Sequence, residues 1–144
     1  MPQPRTPRSK VRRKRAEKYF DKEKAVRTTS LRHHSREDYG DRIVSHLSAT
    51  LQLSHYMYDR VSHIRDTNGC TFDITQILTT ISNIQAQLKK YHEGIQPIWT
   101  QAKRHRDTLS NDKDWAMLKA SLIKIQKTTI QFEESLRTFE KQLP

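Results

Sequence analysis

Apolar residues recur every three or four positions through most of the chain after residue 36, which is typical of helices that pack along one face. The first repeat predicts a helix from about residue 36 to residue 66. The polar residue Ser54 interrupts the series of apolar positions within it. Residues 66–69 then supply a turn, in which Gly69 suits the left-handed position that ends a helix. The repeating positions are Val44, Leu47, Leu51, Tyr58 and Val61, with Ile43, Met57 and Ile64 beside them.

The second repeat is the clearest in the chain and predicts a helix over residues 73–108, opened at Thr71 or Asp73. Many β-branched residues at 3.5-residue spacing favour a coiled-coil-like core of more than two helices. Gly94 and Pro97 interrupt helix propensity without changing the register, so we expect a kink near residues 94–97 and not an end. The repeat consists of Ile74, Ile77, Ile81, Ile84, Leu88, Tyr91, Ile95 and Ile98, and its register extends to Ala102 and Leu109.

A third repeat predicts a helix over residues 111–143, which Ser110 or Asn111 can cap. Acidic residues at 112 and 114 favour a helix start there, because carboxylates interact well with the N-terminal end of the helix dipole. The repeat consists of Trp115, Leu118, Leu122, Ile125, Thr129, Phe132, Leu136, Phe139 and Leu143. The predicted partner-helix seam consists of the second repeat from Ile74 to Ile98 and of the third repeat without Thr129 and Leu143.

Short connections between the three helices indicate an all-α fold, an elongated three-helix antiparallel bundle over residues 37–144. Only 33% of the residues are apolar, so such a bundle has a small core and lies near the threshold of stability. The pattern therefore leaves two arrangements open. Either the chain completes its own core, or the second and third helices form a hairpin completed by other helical subunits or by self-association.

Positive charge is concentrated before residue 37. Residues 1–36 contain 13 Lys or Arg and 3 Asp or Glu, a net charge of +10, whereas residues 37–144 contain 14 and 13, a net charge of +1. We expect residues 1–36 to form a largely disordered basic tail that binds a polyanion, unless the tail serves only solubility. Its densest stretch holds Arg5, Arg8, Lys10, Arg12, Arg13, Lys14 and Arg15 among three prolines and no acid.

The cluster at residues 12–15 also fits a nuclear import signal. Residues 16–27 can form a short amphipathic helix, whose Tyr19 and Phe20 either dock on the bundle or stack on bases. Thr6, Thr29 and Ser35 lie in contexts that kinases accept, and phosphates there would cancel part of the charge of the tail.

No set of residues in the sequence points to catalysis or to a cofactor. The seven histidines do not form a helical zinc pair with a nearby glutamate, and the single cysteine, Cys70, lacks any nucleophile signature. No glycine-rich phosphate loop is present, and no apolar stretch is long enough to cross a membrane. We therefore expect no enzymatic activity, no metal or cofactor, no small-molecule substrate and no membrane partner.

Two classes of function suit this organisation. The first is a nuclear scaffold or adaptor subunit of a helical complex, whose tail binds DNA, chromatin or another polyanion, as in chromosome-associated assemblies. The second is a cytoplasmic adaptor of the cytoskeleton, because acidic microtubule surfaces attract a basic tail equally well. A ribosomal or organellar RNA-bound protein is a further alternative. No base-reading motif narrows the choice.

Overall fold

The computed structural model describes the backbone of residues 7–143 and the side chains of residues 32–105 and 107–143. Four helices follow one another: α1 at Pro7–Asn68, α2 at Phe72–Arg104, α3 at Arg106–Ser110 and α4 at Asp112–Gln142. No strand occurs within residues 7–143, so the predicted all-α bundle is confirmed.

Helix α1 begins at Pro7, well before residue 36, where the sequence pattern placed the start of the first helix. Between Pro7 and Gly40 there is no glycine or proline, and the many Lys, Arg and Glu residues favour helix. The disorder expected for residues 1–36 stays a prediction for measurement in solution.

Helix α2 continues through Gly94 and Pro97 without a break, and the helical path is first interrupted at His105. His105 has extended backbone angles. Its carbonyl accepts a hydrogen bond from the amide of Thr108, and this bond belongs to the first turn of α3. The predicted second helix is therefore two helices. Its start is capped by Thr71, whose hydroxyl accepts from the amide of Ile74 at 3.2 Å.

The remaining predicted helix ends are found close to their expected positions. Asn111 caps α4, since its side-chain oxygen accepts from the amides of Lys113 and Asp114 at 3.0 and 3.1 Å. Gly69 directly follows the last residue of α1 with a φ of 95°, a conformation that favours glycine. Asp73 lies in the first turn of α2 and is not its cap.

The three long helices run up, down and up. Asp41 near the N-terminal part of the bundle contacts Trp99 late in α2, whereas His55 further along α1 contacts the earlier Gln85, so α1 and α2 are antiparallel. Helix α4 runs parallel to α1. Arg36 contacts Asp112 at the start of α4, while residues at the end of α1, such as Ile64, line the same pocket as Phe139 near the end of α4. Helices α2 and α4 are each about 45 to 50 Å long, so the bundle is a rod.

The core lies along a single line of side chains from each helix. On α1 this line includes two hydroxyl residues, Thr50 and Ser54, both fully buried. Ser54 donates to the carbonyl of Leu51 at 2.6 Å, which explains how a polar residue is accommodated where the sequence showed an interruption. The fully buried large side chains are Leu47, Met57, Val61, Ile81, Leu88, Leu109, Leu122 and Leu136.

Among the residues that the structure describes, none belongs to a helix with the length and apolar character that a membrane crossing needs.

Candidate functional site

Metal-binding clusters do not appear in the described part of the chain. No group of three or more His, Cys, Asp or Glu residues is placed to hold a metal ion there. Cys70 is exposed beside the turn after α1, and its sulfur lies 3.1 Å from the hydroxyl of Thr75. The candidate sites are therefore surfaces and the contacts that support them.

Helix α1 is fixed to the start of α4 through Arg36. One guanidinium nitrogen donates to the carbonyl of Leu109 at 2.7 Å, and the other donates to the carboxylate of Asp112 at 2.6 Å. The guanidinium also lies 5.5 Å from the ring of Trp115, which packs edge-on against Tyr39. Only 13% of the Arg36 side chain is exposed. We call these five residues the junction cluster, since they join the basic end of α1 to the bundle.

The electrostatics of the junction cluster follow from this pairing. The hydrogen bond from Arg36, together with its charge, lowers the pKa of Asp112 below the ordinary value. Arg32 adds a weaker attraction from 3.6 Å. Asp112 is thus ionised at neutral pH, and it also lies in the first turn of α4, where a negative charge favours the helix.

A second contact near the same end brings α1 unusually close to α2. The ring of Trp99 lies directly over Gly40, where an added Cβ would come within 2.1 Å of a ring carbon. The indole N–H donates to Asp41 at 2.8 Å, and the ammonium of Lys103 donates to the same carboxylate at 3.1 Å. The φ of Gly40 is not positive, so its backbone conformation does not require glycine. Glycine is required there because the Trp99 ring leaves no space for a Cβ.

A polar contact joins the middle of α1 to α4. The carboxylate of Glu133 contacts the ring nitrogen of His46 and accepts a long hydrogen bond from Thr50 at 3.4 Å. The hydrogen bond with His46 lowers the pKa of Glu133 despite partial burial. Because the pKa of Glu133 is lowered in the folded state, the ionised carboxylate stabilises the fold at pH values above the ordinary pKa of glutamate. That contribution is lost as the pH falls through the lower value of the folded protein.

Glu133→Gln is expected to lower the free energy of unfolding at neutral pH by at most about 1 kcal/mol, since the pair is one-third exposed. The deficit should shrink as the pH falls through the pKa of the folded Glu133, because the wild-type carboxylate then becomes neutral too. Urea unfolding at neutral and acidic pH measures this. Glu134→Gln is the matched control, since its exposed side chain has none of these contacts; equal pH dependence of both variants would contradict the assignment.

Two pockets lie between α2 and α4, one at each end of the bundle. One pocket is lined by Ile98, Gln101 and His105 opposite Met117 and Ser121. The other pocket is lined by Ile77 and Thr80 opposite Phe139 and Leu143.

The predicted polyanion-binding residues lie in or before α1. Arg5 and the predicted phosphosite Thr6 fall outside the described residues. The backbone of the other basic positions, and of Thr29, belongs to α1, whose side chains are described from Arg32 onward. Ser35 is exposed on α1, one residue before the half-buried Arg36. The basic positions concerned are Arg8, Lys10, Arg12, Arg13, Lys14 and Arg15.

Most residues of the predicted partner-helix seam are buried or half-buried in the core of this chain. Ile98 differs, since it is 56% exposed while Trp99 occupies the core position. The fully or largely buried residues are Ile81, Ile84, Leu88, Ile95, Trp115, Leu122, Ile125 and Leu136. The half-buried residues are Ile74, Ile77, Tyr91, Leu118, Phe132 and Phe139.

Three features of the site were missed in the sequence. The predicted tail includes Arg36, no pattern distinguishes Gly40, and Trp99 lies one position away from the predicted repeat. A signal existed for Trp99, since a four-residue step from Ile95 leads to it and a further three lead to Ala102. Single residues such as Arg36 carry no periodic signal.

No protein-family model, curated protein or solved structure matches this chain.

Proposed function

We propose that this chain is a non-enzymatic scaffold or adaptor subunit of a larger helical assembly in the nucleus, and that its basic N-terminal segment binds DNA or another polyanion. The observation that carries the proposal is the separation of charge along α1. Residues 1–36 have a net charge of +10, and the rest of the chain is nearly neutral at +1. The fold of the bundle does not explain such a concentration, whereas binding to phosphates does.

The contacts of α1 support a coupling between polyanion binding by the basic segment and the binding of other subunits by the bundle. The helix that carries the basic positions from Arg8 onward continues into the bundle, where Arg36 holds it to Leu109 and Asp112. Binding of the basic segment to a polyanion would therefore place the rod in a defined direction relative to that polyanion. The bundle would then present its own surfaces to other subunits.

Replacing Arg12, Arg13, Lys14 and Arg15 with glutamine is expected to weaken binding of the full chain to duplex DNA. If each of the four neutralises a phosphate, the slope of log affinity against log salt falls by roughly 3 to 4, because each neutralised phosphate contributes about 0.9. Fluorescence anisotropy with a labelled duplex over a range of salt concentrations measures this slope.

The matched control removes four exposed charges from the bundle by replacing Lys89, Lys124, Lys127 and Lys141 with glutamine. This variant should keep the wild-type slope. Equal slopes for the two variants would contradict the role of the basic segment. Co-pelleting with microtubules in the absence of DNA binding would instead favour the cytoskeletal alternative, and retention in the cytosol of a reporter fused to residues 1–36 would contradict the nuclear assignment.

A further inference from the structure

The buried side of α1 continues in register toward the start of the helix, but its residues change from apolar to cationic. From Gly40 to Val61, the buried positions of α1 follow alternating steps of three and four residues. The same alternation, taken back from Arg36, leads to Arg32, Thr29, Ala25, Lys22, Lys18 and Arg15. This series contains four cations, no acid and no large apolar residue. It therefore does not suit the packing of another apolar helix.

Charge is distributed unevenly around α1 between Pro7 and Leu31. This part of the helix contains 10 Lys or Arg and 3 Asp or Glu. At about 100° per residue, five of the cations and none of the acids lie within about 60° of one line along the helix. The other two-thirds of the circumference hold five cations and all three acids, a net charge of +2. We call the first set the basic face, and its members are Arg8, Lys14, Arg15, Lys18 and Lys22.

The acids of this part of α1 mainly compensate cations outside the basic face. Arg13 and Glu17 are four residues apart, as are Glu23 and Arg27, and opposite charges pair at this spacing on a helix. No member of the basic face has an acid four residues away, and two of the five have one at three residues. The members with no acid at either spacing are Arg8, Arg15 and Lys22.

The dimensions of the basic face suit a polyanion with closely spaced charges. From Arg8 to Lys22 the face extends over about 20 Å, at 1.5 Å per residue. Duplex DNA carries one negative charge per roughly 1.7 Å of its axis, so several phosphates lie within that length. A flexible tail would use all of its cations alike, whereas a helix brings only the cations on one side to the same surface.

We propose that the basic face of a helical α1 contacts the phosphates of duplex DNA, and that binding requires this part of α1 to be helical. The inference rests on the proposed function, and it specifies which residues of the basic segment bind and in which conformation. The face lies on the side of α1 that packs against α2 and α4 further along the chain. The cations at 12 and 13, in the densest cluster of the sequence, lie outside it.

Two variants of the full chain remove the same charge from the same segment but from different sides of the helix. In the face variant, glutamine replaces Lys14, Arg15, Lys18 and Lys22. In the off-face variant, glutamine replaces Arg12, Arg13, Lys24 and Arg27. Glutamine has nearly the helix propensity of lysine and arginine, so neither variant should lose the helix.

Fluorescence anisotropy with a labelled duplex at several salt concentrations measures the slope of log affinity against log salt. This slope should fall by roughly 3 to 4 in the face variant and by less than about 1 in the off-face variant, since each neutralised phosphate contributes about 0.9. Only two of residues 12–15 belong to the basic face, so neutralising that cluster should lower the slope by about 2. A fall of 3 to 4 for that cluster would show that all four contact phosphates and would contradict the face.

A pair of proline variants tests the need for a helix without changing any charge. Ala16→Pro interrupts α1 within the basic face, because proline lacks the amide hydrogen and clashes with the preceding turn. DNA affinity should fall by about tenfold or more, since the cations before and after residue 16 no longer share one side. Ser9→Pro is the control, because Ser9 lies in the first turn of α1, where proline is tolerated. Circular dichroism with and without DNA checks the helix content of each variant.

Equal slopes for the face and off-face variants would overturn the proposal, and so would equal DNA affinity of the two proline variants. Either result would leave the proposed function standing, because the wild-type protein would still bind DNA through its basic segment. Wild-type protein that does not bind DNA would contradict the proposed function itself. A face variant with a much lower slope, together with weak binding by Ala16→Pro alone, supports the helical basic face.

Discussion

Gly40→Ala is expected to destabilise the protein by about 1 to 3 kcal/mol or more, which is unusual for a glycine-to-alanine change within a helix. Alanine normally stabilises a helix relative to glycine by roughly 0.5 to 1 kcal/mol. At residue 40, however, the new methyl group would lie 2.1 to 2.6 Å from three carbons of the Trp99 ring. Because that ring is 3% exposed and its N–H is bonded to Asp41, it cannot simply rotate away.

Gly94→Ala provides the matched control, since Gly94 is also helical and an added Cβ would meet nothing within 4 Å. That variant should gain stability by up to about 1 kcal/mol. Urea unfolding followed by circular dichroism measures both changes. Combining Gly40→Ala with Trp99→Leu should recover part of the loss, because the smaller side chain leaves space for the methyl group. A Gly40→Ala protein as stable as the wild type would show that α1 and α2 do not approach so closely.

The regular part of the fold could be predicted because periodicity reports it directly. In α2 and α4 the burial of side chains such as Ile81, Leu88 and Leu122 repeats over many turns, so one wrong position does not change the inferred face. The helix starts could be predicted for a similar reason, since Thr71 and Asn111 belong to the few residue types that cap helices well.

The close contact between Trp99 and Gly40 could not be predicted from periodicity. A straight helix drifts by about 20° per heptad relative to a 3.5-residue repeat. In α2, two successive four-residue steps, from Tyr91 to Ile95 and from Ile95 to Trp99, compensate for this drift. The strict repeat therefore selects Ile98, whereas the structure buries Trp99 beside Gly40. Tertiary contacts of this kind depend on another helix and leave no trace in the local pattern.

The charged residues of α1 likewise leave no trace of their tertiary contacts in the local pattern. In the sequence, Arg36 is one of 13 basic residues in the first 36 and differs in nothing from its neighbours. Its role depends on the distant carbonyl of Leu109, which is available because α3 ends at Ser110 and the amide of Lys113 donates to the side chain of Asn111 instead. Net charge thus defines the basic segment as a feature of the sequence, but it could not distinguish a residue that anchors the helix from those to which the proposed function assigns polyanion binding.

Arg36→Met should show that separation. The change keeps most of the side-chain volume but removes both charge-assisted hydrogen bonds, and it leaves the carbonyl of Leu109 without its donor. We expect a loss of about 1.5 to 3 kcal/mol in the free energy of unfolding. Arg36→Lys should recover only part of it, since one ammonium group replaces a planar fork that reaches the carbonyl and Asp112 together. Urea unfolding of the full chain measures all of these values.

Arg32→Met is the matched control for this anchor. Its guanidinium is 3.6 Å from Asp112 and its side chain is 50% exposed, so we expect a change within about 0.5 kcal/mol. Equal destabilisation by the two methionine variants would contradict the assigned role of Arg36. The salt dependence of DNA binding should respond differently from stability. Because the charge of Arg36 is already paired with Asp112, Arg36→Met should leave the slope of log DNA affinity against log salt unchanged wherever the protein remains folded. Neutralising residues 12–15 should lower that slope and leave the unfolding of the bundle unaffected.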